Sequence, residues 1–209
     1  MKTHLFYVGL ALGVVAMAGD FVVPWILARS YPGYSHLRDT ISTLGTDESP
    51  VKRQTAVWLI FLGICFLVFA AAQATQFRVF TWRHALYLTG IVAFGIGAGI
   101  VAGIFPEDTP KMDETLSGKV HGIGSGIGAI LLLLAPFWAR GMAEFAELKT
   151  WNTSGFIIAL MAFLLFLISG KTGASLTRLT GLWQRLYLAA LYSTLLADAF
   201  TMNVAFSDG

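Results

Sequence analysis

The chain has 209 residues, of which 56% are apolar and only 12% are charged, and its formal net charge is +2. Soluble globular domains carry about 25% charged residues, and a water-soluble fold of this length could not bury so much apolar surface. The composition therefore excludes an ordinary soluble domain and predicts an all-α polytopic membrane protein. We expect membrane lipids as partners and no nucleic acid.

Six apolar segments are long enough to cross a hydrocarbon core of about 30 Å, which takes about 20 helical residues. Four of them contain no charged residue, whereas the first contains Asp20 and the last contains Arg185 and Asp198. We predict one domain, residues 1–209, built as a bundle of six transmembrane helices. The predicted spans cover residues 5–28, 55–76, 84–105, 121–139, 151–170 and 182–203.

The N-terminal segment has a second interpretation. Residues 1–18 resemble a secretory signal peptide, because Lys2 precedes an apolar run that contains the small residues Ala16 and Ala18. The run continues to Leu27, however, and is then long enough to span a bilayer. We favour a retained first span over a cleaved signal.

The connecting segments fall on two sides of the membrane. We define the odd side by residues 29–53, 107–119 and 171–180, and the even side by both termini with residues 78–83 and 140–149. Seven of the twelve acidic residues lie on the odd side, and basic residues lie on both sides. The positive-inside rule therefore does not decide the orientation. The basic, acid-free 78–83 segment favours cytoplasmic termini.

Glycine recurs at a spacing of four in two spans. Gly95, Gly99 and Gly103 do so in the third span, and Gly124 and Gly128 in the fourth. Such ridges let helix backbones approach closely. We interpret all five as helix-packing residues.

Asp20 is the most informative polar residue of the spans. A carboxylate about 12 Å inside a span is unfavourable unless it faces protein or water. Arg185 enters the last span from the odd side at a matching depth, and Tyr192 shares its helical face. We predict that Asp20 pairs with Arg185 and that Asp20, Arg185 and Tyr192 bind a ligand. Two alternatives stay open: Asp20 only orients helices, or Arg185 binds lipid phosphate.

Asp198 has a different position. It lies 13 residues beyond Arg185, rotated off its face and nearer the even side. We interpret it as a hydrogen-bonded structural residue.

The odd-side segments also supply residues with chemical potential. His36, Asp108 and His121 are candidate metal ligands, because zinc takes imidazole and carboxylate ligands. Their spacing matches no ligand motif, and no other cofactor is evident. Asp108 and His121 are also candidate ligand-binding residues.

A hydrolytic site is the alternative use of this face. Ser35, His36, Asp39 and His121 are candidate catalytic residues, since they supply a nucleophile, a base and an orienting acid. No nucleophile-elbow glycines surround Ser35, however.

Four odd-side motifs carry a family resemblance. They are the segments 34–45 (YSHLRDTISTLG), 103–108 (GIFPED), 118–121 (GKVH) and 181–185 (GLWQR). With these motifs in this order, the chain resembles the bacterial and archaeal membrane family DUF998, whose function is unknown. The resemblance implies a six-helix protein of a prokaryotic cytoplasmic membrane and the importance of those positions, and no reaction.

A looser similarity in layout connects the chain to membrane hydrolases of the alkaline ceramidase type. Those enzymes hold zinc with a Ser, an Asp and three His. This chain departs from that pattern, because only two histidines lie on its odd side and no His-x-x-x-His pair is present.

The sequence thus predicts a membrane protein that binds a lipid or a small polar ligand in an odd-side pocket, without separating binding, sensing and transport. The alternative is a lipid-modifying hydrolase or transferase, with zinc as its metal. A third interpretation is a structural subunit whose glycine ridges dock an oligomer or a partner.

Overall fold

The computed structural model describes residues 2–77, 79–109, 115–143, 145–169 and 178–207, without the side chains of residues 2, 3 and 202–207. Within these ranges the chain forms helices, turns and loops, and no strand. The predicted all-α class is confirmed.

Six long helices follow one another in the described residues. They are α1 (Lys2–Leu27), α2 (Lys52–Ala74), α3 (Trp82–Ile104), α4 (Leu116–Ala139), α5 (Ala146–Ser169) and α6 (Thr180–Ser207). Five of them, α1 to α5, are long and apolar enough to cross a membrane. The helix α6 has 28 residues, but it contains Arg185 and Asp198, and its passage through the membrane stays a prediction.

The helix α3 is the packing centre of one half of the bundle. Its middle, Gly95–Val101, is π-helical, and its two faces contact α2 and α4. A β-carbon on Gly95 would lie 2.9 Å from the carbonyl oxygen of Gly63, and one on Gly128 would lie 2.9 Å from that of Ala93. Only glycine permits these approaches. Close contacts of this kind involve all five glycines of the two ridges: Gly95, Gly99, Gly103, Gly124 and Gly128.

Aromatic rings fill the middle of the bundle. The rings of Phe66 in α2, Phe94 in α3 and Tyr192 in α6 lie 5.0 to 6.1 Å apart, centre to centre. Outside this aromatic cluster, α1 packs against α2 and α5 packs against α6. The cluster therefore brings α6 against helices that lie far from it in the sequence.

The outer surface is apolar as well. Val57, Ile123 and Met161 expose 60 to 63% of their surface. A protein surrounded by water would not present so much hydrocarbon. These side chains are positioned to face lipid.

Candidate functional site

Arg185 holds the first odd-side loop against the start of α6. One of its terminal nitrogens, Nη1, donates to the carbonyl oxygens of His36 at 2.8 Å, Asp39 at 3.1 Å and Gly181 at 2.9 Å. The other, Nη2, donates to the Tyr34 hydroxyl at 2.8 Å and lies 3.3 Å from Nδ1 of His36. A guanidinium offers donors in a rigid fork. This one uses them to gather the loop.

The backbone at the start of α6 completes the attachment. The first N–H groups of a helix have no partner within the helix. Here those of Gly181 and Leu182 donate to loop carbonyl oxygens at 3.2 and 3.0 Å. The side-chain oxygen Oε1 of Gln184 accepts from the N–H of Ile41 at 2.7 Å. The odd-side loop is therefore a fixed part of the fold.

The predicted ion pair between Asp20 and Arg185 is wrong. In the part of the chain that the structure describes, the ion pair present is that of Lys52 with Asp47. Asp20 is 4% exposed and accepts a hydrogen bond from the Tyr192 hydroxyl at 2.8 Å. Arg185 is occupied by the loop. The charge of Arg185 still acts on the Asp20 carboxyl group, but the two side chains have different hydrogen-bond partners.

Trp58 of α2 covers the carboxyl group of Asp20. Its ring lies against Gly19, where a β-carbon would come within 2.8 Å of it. Trp58 interacts with the Asp20 side chain, although its buried indole N–H makes no hydrogen bond of normal geometry. Pro24 lies in the same helix and lacks the N–H that would bond the Asp20 carbonyl. Asp20 thus sits at a locally weakened point of α1.

The candidate catalytic residues do not form a hydrogen-bonded chain of nucleophile, base and acid. The Asp39 carboxylate accepts from the backbone N–H of Ser35 at 2.6 Å. His36 faces the Arg185 guanidinium instead of a carboxylate. Burial, and then the charge of Arg185, lower the pKa of His36. Within the described residues, no hydrogen bond joins the Ser35 hydroxyl to His36 or His121.

Asp108 and His121 fasten the odd-side end of α3 to the start of α4. The two carboxylate oxygens of Asp108 accept from the hydroxyl and the N–H of Thr115, at 2.6 and 2.8 Å. These bonds lower the pKa of Asp108, and the bond from the Thr115 hydroxyl has the larger effect. Nδ1 of His121, which is 5% exposed, lies 2.8 Å from the carbonyl oxygen of Phe105. Both side chains have local structural partners.

The three candidate metal ligands do not converge. His36 belongs to the Arg185 loop, whereas Asp108 and His121 belong to the junction of α3 and α4. Across the described ranges, no three His, Cys, Asp or Glu side chains are placed to hold a metal ion.

A groove opens beside this junction. It has a volume of about 480 Å³ and lies between the start of α2, with the loop before it, and the odd-side end of α3. Lys52 and Arg53 supply its positive charge, while Leu59, Ala102 and Ile104 supply apolar wall. The remaining lining comes from Gly45, Ser49, Pro50, Gln54, Ala56, Gly103 and Pro106.

Sequence reasoning missed this groove. Lys52 and Arg53 stand directly before the second span, a signal that we weighed only for membrane orientation. Arg53 is exposed, and no hydrogen bond, ion pair or ring contact involves its side chain in the described part of the chain.

The family model of DUF998, described as a protein of unknown function, matches residues 6–201. The chain belongs to the DUF998 family. No curated protein and no solved structure matches it.

The four motifs behind the resemblance pair off in this DUF998 protein. The segment 34–45 is held by 181–185 through Arg185 and Gln184. The segment 103–108 is held by the start of α4 through Asp108 and His121, the latter in the motif 118–121. The motifs therefore build two odd-side junctions, with the groove beside the second.

Proposed function

We propose that this DUF998 protein is a six-span protein of a prokaryotic cytoplasmic membrane that binds an anionic phospholipid in the odd-side groove. The observation that carries the proposal is Arg53, an exposed cation that has no partner among the described residues and lines a groove with an apolar wall. A phospholipid combines these two chemistries in one molecule.

The sixth span is supported by the way α6 handles its polar side chains. Its 28 residues extend for about 42 Å, which exceeds the hydrocarbon thickness. Both terminal nitrogens of Arg185 bond to the odd-side loop, and Asp198 is 2% exposed. Neither charge faces lipid, so both are compatible with a spanning helix. With six spans, both termini lie on the even side.

The positive end of the groove fits a phosphate group. A guanidinium binds phosphate through two parallel hydrogen bonds. Lys52 already pairs with Asp47, but an exposed pair of this kind contributes only about 0 to 1 kcal/mol. Lys52 can therefore exchange that partner for a phosphate oxygen.

The apolar part of the groove fits the upper part of an acyl chain. Leu59 of α2 and Ile104 of α3 line it at the odd-side end of the bundle. A small polar solute would leave this wall in contact with water. An amphiphile covers it, which is why we favour lipid over a soluble anion.

The other two interpretations have less support. A hydrolase would need an assembled catalytic set, and the candidate residues hold loops instead. A subunit docked through the glycine ridges would need those ridges outside, whereas they serve contacts within the chain. Gly122 and Gly126 of α4 do face open space, but two small residues do not identify a partner.

The test uses the full chain in nanodiscs that contain phosphatidylglycerol and phosphatidylcholine. Native mass spectrometry should show retained phosphatidylglycerol on the wild type, and Arg53→Ala should lose it. Arg38→Ala is the matched control, because Arg38 is also an exposed odd-side cation but lies outside the groove. Equal retention of the two lipids by the wild type, or an equal loss in both variants, would overturn the proposal.

A further inference from the structure

Four polar side chains meet inside the bundle, near its even-side end. We call this set the core cluster: Gln73 of α2, Tyr87 of α3, Asn152 of α5 and Asp198 of α6. All four are at most 2% exposed. Nδ2 of Asn152 donates to Oδ1 of Asp198 at 2.7 Å, and Tyr87 interacts with both Gln73 and Asp198. Four different helices thus contribute to one connected set of polar groups.

Most of the polar atoms in the core cluster make no hydrogen bond of normal geometry. Within the described residues this holds for both side-chain atoms of Gln73, the hydroxyl of Tyr87, Oδ1 of Asn152 and Oδ2 of Asp198, although the Tyr87 hydroxyl lies close enough to Gln73 and Asp198 to interact with them. Buried polar atoms are nearly always paired, because losing water without replacement is unfavourable. Three of the orphans are oxygens that only accept. These oxygens are available to accept a hydrogen bond or to coordinate a cation.

The charge of the core cluster also favours a bound cation. Asp198 is its only acidic residue, and no ion pair compensates it within the described ranges. An ionised carboxylate in an apolar interior needs a positive partner. One monovalent cation neutralises one carboxylate, whereas a divalent cation would leave an excess positive charge.

We propose that the core cluster is a binding site for an alkali cation of the Na⁺ class. Oδ2 of Asp198, the amide oxygens of Gln73 and Asn152 and the hydroxyl of Tyr87 are the ligands. All of them are hard oxygen donors, which suit such an ion. The Asn152 amide nitrogen fixes the other Asp198 oxygen and so orients the carboxylate.

The site lies apart from the lipid groove, towards the opposite end of the bundle. Gln73 is the penultimate residue of α2, while Tyr87 and Asn152 lie in the second turns of α3 and α5. These helix ends belong to the even side. The cation site is independent of lipid binding on the odd side.

The test measures cation binding by the purified full chain in detergent. The melting temperature should rise with added NaCl and stay flat with choline chloride at equal ionic strength. Scintillation proximity with ²²Na⁺ should show saturable binding of one ion per chain. The shift and the binding should both be lost in Asp198→Asn.

Two further variants keep the test decisive. Gln73→Leu removes orphaned atoms at similar volume, should fold, and should weaken ²²Na⁺ binding. Asp20→Asn is the control, because Asp20 is the other buried carboxylate and already has Tyr192 as its donor; it should keep the Na⁺ response. Stabilisation by choline equal to that by Na⁺, a response to pH alone, or unchanged binding in Gln73→Leu would overturn the cation site.

Discussion

The attachment of the loop 34–45 to Arg185, which we call the odd-side rim, and the core cluster both contain polar groups within a largely apolar bundle. They differ in how completely those groups are bonded. At the rim, the Arg185 guanidinium reaches three carbonyl oxygens and a hydroxyl. In the core cluster, the side chain of Gln73 makes no hydrogen bond of normal geometry within the described residues. A saturated polar group has no capacity left for a ligand and stabilises the fold. Orphaned groups at a shared point have that capacity.

The comparison predicts its largest effect at the rim. Arg185→Ala removes the donors that gather the odd-side loop, and we expect a loss of about 3 kcal/mol, since hydrogen bonds from charged groups are worth about 1.5 to 3 kcal/mol each. The free energy of unfolding in mixed micelles measures the loss, and limited proteolysis should cut the loop faster.

Arg178→Ala is the control for Arg185→Ala. Arg178 is exposed and lies two residues before α6, and within the described residues its side chain makes no hydrogen bond to the loop. Its removal should change stability by less than about 0.5 kcal/mol. If both variants behave alike, Arg185 does not anchor the loop.

A smaller effect at the rim depends on pH. The pKa of His36 lies below its ordinary value of 6.5, because burial and the Arg185 charge disfavour the protonated ring. Because the folded-state pKa is lowered, the neutral ring of His36 makes its full contribution to the free energy of unfolding above pH 6.5. That contribution is lost as the pH falls through the folded-state pKa. Melting temperatures of the wild type should therefore fall on acidification.

His36→Asn tests the assignment of this pH dependence. The variant has no titrating ring, so its melting temperature should depend less on pH over the same interval. An identical pH profile for wild type and variant would assign the effect to another group. The backbone bond from Arg185 to the carbonyl of residue 36 is unaffected by the substitution.

The smallest effect belongs to the core cluster. Without an alkali cation, Gln73→Leu should leave the free energy of unfolding unchanged or raise it, because an unpaired buried amide contributes no net hydrogen bond and its burial is unfavourable. Unfolding in choline chloride checks this. A destabilisation as large as that of Arg185→Ala would show that Gln73 is structurally bonded, and the contrast between the two regions would fail.

The apolar helices and the glycine ridges could be predicted from the sequence, for a direct physical reason. Hydrocarbon imposes a length and an apolar composition on any segment that crosses it, and α1 to α5 meet both requirements. The glycine ridges are similarly visible, because only a missing side chain lets backbones approach as Gly95 and Gly63 do. The order of the odd-side motifs was enough for the family resemblance, which the match to DUF998 confirmed.

The partners of the polar groups were decided by the tertiary structure alone. Sequence position gives the depth of a residue in a span, but not which helices adjoin it or how each is rotated. We predicted that Asp20 and Arg185 pair, yet one meets Tyr192 and the other meets loop carbonyl oxygens.

The core cluster shows the same limit more strongly. Gln73, Tyr87 and Asn152 are neutral residues in separate spans, and none of them stands out by charge or spacing. Only the packing of α2, α3, α5 and α6 around the aromatic centre brings them to Asp198. The sequence by itself determined that the chain enters the membrane, because that depends on composition summed along each helix. The fold decided which polar atoms remain unpaired, because that depends on neighbours in three dimensions.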